Sequence, residues 1–428
     1  NPGIEHHYTL PENTYEWIED THGGMVHNPD YLLFDDLISP SRMAGEHLQL
    51  ADILSAFTSK SDTLHFVELL QDVVQEQSKR EELLESCLAL DEDIYGERQK
   101  GDFAKLIDLN PSAFVDVILS GRYLNDSIQS VFKWPLPNLI FTRDIAAIIG
   151  EKLLLTWGKR EARKREMLLT KFIADHHPVF CNISTYDFHS LHPDLSIEGG
   201  DVIIFDENTV FIGKSERNSK EAINAILPIC FDEGFNKVIV VDLPKLRSIM
   251  HLDTIFSRIS ENEVLVYPPL FHQKEMKGHP ISTYLIEKGQ SIFDVKSKNE
   301  SLSDCLNKCG FNMTPIHCGG NESVFQEREQ WSDGANAFTL EPGKIISYSR
   351  NHKTIKELKK AGYDVVAEVD FRLDTEKFIK RDGKMVITID SAELPRGRGG
   401  PRCLTSDSYT HLTLPQKRIV KITVDVVS

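Results

Sequence analysis

Hydrophobic and polar positions along the chain fall into a recurring order. From Asp201, "DVIIFDENTVFIGKSERNSKEAINAIL" runs apolar, turns at Asp206 to Asn208, runs apolar again and opens a charged helix; it continues into "NKVIVVDL". From Asn336, "NAFTLEPGKIISYSRNHKTIKELKKAGYDVVAEVDF" repeats the order, with Pro342-Gly343 at the turn and a strand after the helix. From Arg143, "RDIAAIIGEKLLLTWGKREARKREMLLTKFI" is a third copy. Each reads strand, tight turn, strand, helix, strand, with Gly, Asn or Pro supplying the turn. One such unit cannot cover both faces of its own sheet, so the repetition predicts neighbours arranged about a common axis. The plainer alternative is an ordinary α/β sheet that happens to contain three similar units.

Between Glu46 and Phe132 the period changes. Apolar residues recur at three- and four-residue spacing through "EHLQLADILSAF", "TLHFVELLQDVVQEQSKREELLESCLAL" and "PSAFVDVILSGRYL", which predicts helices. Pro111 after Asn110 marks a helix start. The expected organisation is one α/β unit over 1–428 carrying a helical insertion at 46–132. In "RSIMHLDTIF" the apolar run predicts a strand, on which His251 and Asp253 share a face.

The chain has 428 residues, 40% hydrophobic and 26% charged, an ordinary globular composition able to bury a large core. A formal charge of -17 argues against nucleic acid or an anionic membrane as a partner. No apolar run approaches the length of a bilayer span. Seven scattered cysteines without CxxC spacing indicate neither a disulfide framework nor a zinc ribbon, and reduced thiols fit a cytoplasmic setting.

Several polar groups stand where a structural strand would not need them. "PNLIFTRD" ends in Arg143-Asp144, "SIEGGDVIIF" brackets two glycines with Glu198 and Asp201, "MHLDT" holds His251 and Asp253, and "GRGGPRCLT" places Cys403 after a glycine-rich loop. Singly, each has a bland reading as a turn cap, a buried polar side chain or a small hydrophobe. Together they say more. A nucleophilic thiol needs a proton carrier, usually histidine, and that histidine needs a partner such as Glu198. Asp144 and Asp253 are then left over, and two carboxylates in a closed site repel unless a cation lies between them. A planar guanidinium satisfies both. A metal hydrolase built on His176, His177, His189 and His192 is the competing enzyme class, but their spacing fits no helical metal signature.

"FTRD", "EGGD", "MHLDT", "REQWSDGAN" with "PGKIISYSRN", and the loop before Cys403 resemble, in order, the arginine deiminase family of guanidine-modifying enzymes. The resemblance implies the pentein fold, a five-bladed α/β propeller of ββαβ units with a helical insertion. It implies hydrolysis of L-arginine to L-citrulline and ammonia, without cofactor or metal, by a homo-oligomer. It implies Cys403 as nucleophile, His251 as acid and base, Glu198 as its partner, and Asp144 and Asp253 as guanidinium clamps. Arg163 and Arg217 match the positions that bind the substrate carboxylate; Arg398 matches a mobile-loop arginine, and Asn138 and Phe141 line the pocket. The opening "NPGIEHH" resembles the family just after its first strand, so one strand of one blade is expected to be missing, leaving an open sheet edge. After Cys403 the sequence departs from the family until the strand-like "KRIVKITVDVV". An amidinotransferase, a deiminase of another guanidino compound and a non-catalytic binding propeller are the alternatives.

Overall fold

The computed structural model describes residues 3–58, 63–96, 104–124, 128–407 and 421–423. Each of the three repeats forms as its pattern predicts. In the first, Ala146–Ile149 pairs antiparallel with Lys152–Leu155, the helix Glu161–His176 follows, and Ser184–Asp187 returns parallel to the second strand. Val202–Ile204, Thr209–Lys214, the helix Lys220–Asp232 and Lys237–Asp242 repeat this order. So do Phe338–Glu341, Lys344–Tyr348, the helix His352–Lys360 and Asp364–Ala367. In this last unit Met385–Ile389 inserts between the second strand and Asp364–Ala367. The second strands are buried along nearly their whole length, which is why they read as continuous apolar runs and not as alternating ones.

The periodicity missed a fourth unit. Phe256–Arg258 pairs antiparallel with Glu263–Val266, which pairs parallel with Thr314–His317. A long excursion separates those last two strands. It includes Ser282–Glu287, which adds to the neighbouring sheet against Lys237–Asp242. A fifth sheet joins Ser406–Asp407, Lys421–Thr423 and Thr63–His65. Most of the expected final strand and of its linking segment lies outside the described residues.

Among the described residues five sheets therefore have three or more strands, and the first strand of each unit stands at a sheet edge. The segments leading into these five strands touch in a closed circuit. The Arg143 N–H donates to the Cys403 carbonyl, and Gly199 lies against the Arg143 carbonyl. The Leu252 N–H donates to Asp201, Asn336 Nδ2 donates to the Asp253 carbonyl, and Asn336 Oδ1 accepts from the Cys403 N–H. This circuit of five α/β units is the pentein arrangement.

The helices Phe66–Val73, Gln77–Tyr95 and Pro111–Ser120 pack with the first two sheets in one large core. The Asn110 side chain caps the last of them at the Ala113 N–H, with Pro111 in its first turn. The helix Pro40–Phe57 spans the expected start of the helical region at 46. It packs elsewhere, placing Leu50, Ile53 and Leu54 against Phe338, Ile387 and Ile389.

One local expectation is corrected. "MHLDT" is not part of a strand: His251 precedes a single 3-10 turn, Leu252–Thr254, and the strand starts at Phe256. Thr254 Oγ1 donates to the His251 carbonyl at 2.7 Å, and Asp201 accepts the Leu252 N–H at 2.9 Å. Those side chains take the backbone groups that a strand would have paired, so the chain turns.

Candidate active site

Four of the five circuit segments carry the expected chemistry-bearing residues at their inner ends: Asp144, Glu198, His251 with Asp253, and Cys403. A small cavity of about 20 Å³ is lined by Asn138, Phe141, Asp144, Arg163, Glu198, Arg217, His251, Arg398 and Cys403. Asp253 lies behind the sulfur, its Oδ2 3.7 Å from Cys403 Sγ. All ten site residues that the resemblance implies are thus gathered at one place, and all are buried.

The two aspartates share a pattern. Asp144 Oδ2 is 2.5 Å from Arg163 Nη1, and Asp253 Oδ2 is 2.6 Å from Arg402 Nη1. The other oxygen of each, Oδ1, is buried with no hydrogen-bond partner among the described residues. One oxygen of each carboxylate is thus held by an arginine, and the other makes no hydrogen bond within the described residues. Buried carboxylate oxygens without partners are costly, and a guanidinium carries N–H donors that would satisfy both.

His251 is set between acids. Its Nε2 lies 2.9 Å from Glu198 Oε2 and its Nδ1 3.6 Å from Asp144 Oδ1. Burial alone would lower its pKa, but Asp144, Glu198 and Asp201 outweigh burial and hold the ring at about 10. Glu198 is also buried, yet Arg217 and His251 keep its pKa well below the usual carboxylate range. At neutral pH this is an imidazolium–carboxylate pair. The imidazole approaches so closely because residue 200 is glycine: a Cβ there would sit 2.8 Å from His251 Cγ.

Cys403 faces the opposite balance. Burial, then Asp253, Asp144 and Asp333, push its thiol well above the ordinary value. In the free protein the sulfur is protonated, and a bound cation would reverse the carboxylates' effect.

The arginines are all engaged. Arg163 sits in the first turn of its helix and bonds Asp144, Glu166 at 2.8 Å and the Asn138 carbonyl at 3.1 Å. Arg217 Nη1 lies 3.5 Å from Glu198. Arg398 adopts φ +68°, stacks 3.5 Å from the Trp331 ring and pairs with Asp35 at 3.7 Å. Asp35 also holds Arg247 at 2.9 Å, so one carboxylate joins three loops over the cavity. The Asn138 amide donates to the Leu32 carbonyl at 2.6 Å, fixing the covering segment.

The histidines of the metal alternative are dispersed into local partnerships. His176 meets Glu82, His177 accepts from the Val179 N–H, His189 stacks on Trp157 and His192 meets Tyr186. Asp144, Glu198 and His251 do bring ligand-type atoms within 4.8 Å of one another. The imidazolium proton would have to leave before a metal could bind there.

Sequence reasoning named Asp201 without giving it a role, and passed over Arg402 and Asn336 as site residues. Asn336 lies in the quoted "REQWSDGAN" and Arg402 adjoins Cys403, but nothing local assigns either a partner.

The class defined by this fold and site is a pentein enzyme with a buried cysteine, histidine and paired acids. The sequence profile of the family "Arginine deiminase" matches residues 30–407. An arginine deiminase of Listeria welshimeri is 28% identical over 403 residues, covering 88% of this chain and 91% of that protein. One of Mycoplasma capricolum is 31% identical over 386 residues, covering 87% and 88%. Among solved structures, the N-terminal domain of ArgZ bound to product, a cyanobacterial arginine dihydrolase, aligns at TM-score 0.42 and 17% identity, over 65% of this chain and 78% of that one. The chain belongs to the arginine deiminase family.

Proposed function

We propose that this protein hydrolyses L-arginine to L-citrulline and ammonia through a covalent amidino-cysteine at Cys403. The observation that carries the reading is the pair of buried, half-satisfied carboxylates, Asp144 and Asp253, beside a sulfur and an imidazolium.

The charges prescribe the sequence of events. The guanidinium enters between the free Oδ1 atoms and compensates the negative charge that keeps Cys403 protonated, so the thiol releases its proton to solvent. The thiolate attacks the guanidinium carbon and a C–S bond forms. His251 gives its proton to one amino group, the C–N bond breaks and ammonia leaves. The carbon remains as an S-linked amidinium. His251, now neutral, takes a proton from water; the hydroxide adds to the carbon, the C–S bond breaks, and citrulline departs as the urea oxygen loses its proton. Glu198 fixes the ring and stabilises its charged form, as in other acid-base pairs of this kind.

Arg217, and Arg163 after exchange of its present partners, supply the cations for the substrate carboxylate. Arg398, Asn138 and Phe141 complete the wall. The cavity is far smaller than an arginine, so the loops joined by Asp35 open to admit it. Seven free cysteines support a reducing, cytoplasmic setting. Among the described residues no helix is long and apolar enough to cross a membrane. The exposed apolar hairpin of Trp17–Glu19 and Met25–His27 supports a homo-oligomer.

Incubation with L-arginine tests the reading. Citrulline and ammonia are expected in equal amounts, unchanged by a chelator and undiminished by added glycine. Amidino transfer to glycine would make the protein a transferase, and absence of any turnover would make it a binding module.

A further inference from the structure

One of the five circuit segments brings no expected catalytic residue: that leading into Phe338–Glu341. The side chain it does bring to the centre is Asn336, which is buried and fully engaged. Its Oδ1 accepts from the Arg402 N–H at 2.9 Å and the Cys403 N–H at 3.2 Å. Its Nδ2 donates to the Asp253 carbonyl at 2.9 Å and to Cys403 Sγ at 3.2 Å. The carboxamide thus spans the nucleophile, its backbone and the loop bearing the acid behind it. The fit is tight enough to dictate a neighbour: a Cβ at Gly400 would lie 2.5 Å from Asn336 Oδ1.

We infer that Asn336 is a further catalytic residue, a neutral hydrogen-bond donor that stabilises the Cys403 thiolate and aims it at the guanidinium carbon. This rests on Cys403 being the nucleophile. The physical need is plain. Asp144, Asp253 and Asp333 all raise the thiol's pKa, and the guanidinium compensates them only while it is bound. An N–H held on the sulfur favours thiolate over thiol in every state, because a thiolate is the stronger acceptor. A lysine there would do the same with a full charge, but would repel the substrate cation. A carboxamide donates without charge. The Gly400 backbone N–H assists in the same direction. When sulfur bonds to carbon it loses its charge and the hydrogen bond weakens, whereas the two bonds accepted by Oδ1 persist and keep the loop in place for the second half of the reaction.

Asn336→Asp separates donation from scaffolding. It is nearly isosteric and can still accept from both backbone N–H groups, but it places a carboxylate oxygen on the sulfur. The expected result is a lower melting temperature, because the new carboxylate also faces the Asp253 carbonyl, and a ~100-fold lower kcat with KM changed far less. The acid limb of the kcat profile should move to higher pH by about one unit or more. An unmoved limb overturns the inference, because an oxygen replacing a donor on the sulfur must make the thiolate harder to form. A second measurement needs neither turnover nor a substitution at 336. With asparagine side chains labelled by nitrogen-15, one carboxamide resonance should shift as the Cys403 thiol titrates, followed by its thiolate absorbance against Cys403→Ala. No carboxamide resonance following that titration overturns the inference even if Asn336→Asp does not fold. Citrulline formation by Cys403→Ala would instead overturn the proposed mechanism itself, so the two failures are distinguishable.

Discussion

The Nε2 atom of His251 stands 2.9 Å from Oε2 of Glu198, both sealed from solvent, although 52 residues separate them in the chain. This contact sets the protonation state of the site. It makes the histidine an acid at rest, ready for a leaving amine, before it becomes a base toward water.

Its first consequence is a pH dependence. The pKa of His251 is raised from 6.5 to about 10, so its contribution to stability is full below 6.5 and lost as pH rises toward 10. Glu198 is shifted down from 4.5, so its contribution is present above 4.5 and lost as pH falls through the depressed value. Thermal melting should therefore be best between these limits and fall on both sides. Glu198→Gln should move the alkaline limb of kcat to lower pH by about one unit or more. It should also destabilise the fold by about 3 kcal/mol, because Arg217 and the imidazolium lose a buried partner. A limb that stays in place would remove Glu198 from the histidine's control.

The nucleophile gives the sharpest prediction. Cys403→Ala should abolish citrulline formation, a loss of at least ~10⁴-fold, and cost only about 1 kcal/mol of stability. Parallel melting curves and a sensitive citrulline assay would check both halves. Residual turnover near the natural rate would refute a covalent route through this sulfur.

The clamp is tested by binding alone. In the Cys403→Ala background, arginine affinity measured by calorimetry should fall on Asp144→Asn and on Asp253→Asn by about 2–4 kcal/mol each. The isosteric amides keep the volume and remove the charge. Equal binding by all three proteins would show that the cation sits elsewhere.

Gly200→Ala tests the closeness of the acid pair. The added methyl would meet Asp144 Oδ1 at 2.7 Å and the His251 ring at 2.8 Å. A loss of about 1–3 kcal/mol in stability is expected, with kcat falling further as the ring is pushed aside. A variant with unchanged kcat would mean that the ring has more freedom than this packing allows.

Much of the architecture was legible along the chain because its signals are local. An apolar run, a turn residue and a three- to four-residue period each lie within a dozen positions, so three units could be read directly from Arg143, Asp201 and Asn336. The fourth unit escaped because the excursion between Glu263–Val266 and Thr314–His317 breaks the spacing, and one of its strands adds to another sheet. The "MHLDT" strand failed for a related reason: the groups that turn it, Asp201 above all, are remote in sequence.

The sequence by itself determined which chemical groups are present, their order, and the repeating unit that carries them, since composition and short-range periodicity are properties of the chain. Only the tertiary structure decided how those groups are used. It assigned Arg163 to one oxygen of Asp144 and Arg402 to one oxygen of Asp253, left the other two without a hydrogen bond, and set Asn336 against the sulfur. Such assignments depend on which remote side chain reaches a given atom first in a close-packed interior. That is a matter of distance and angle, which no local pattern encodes.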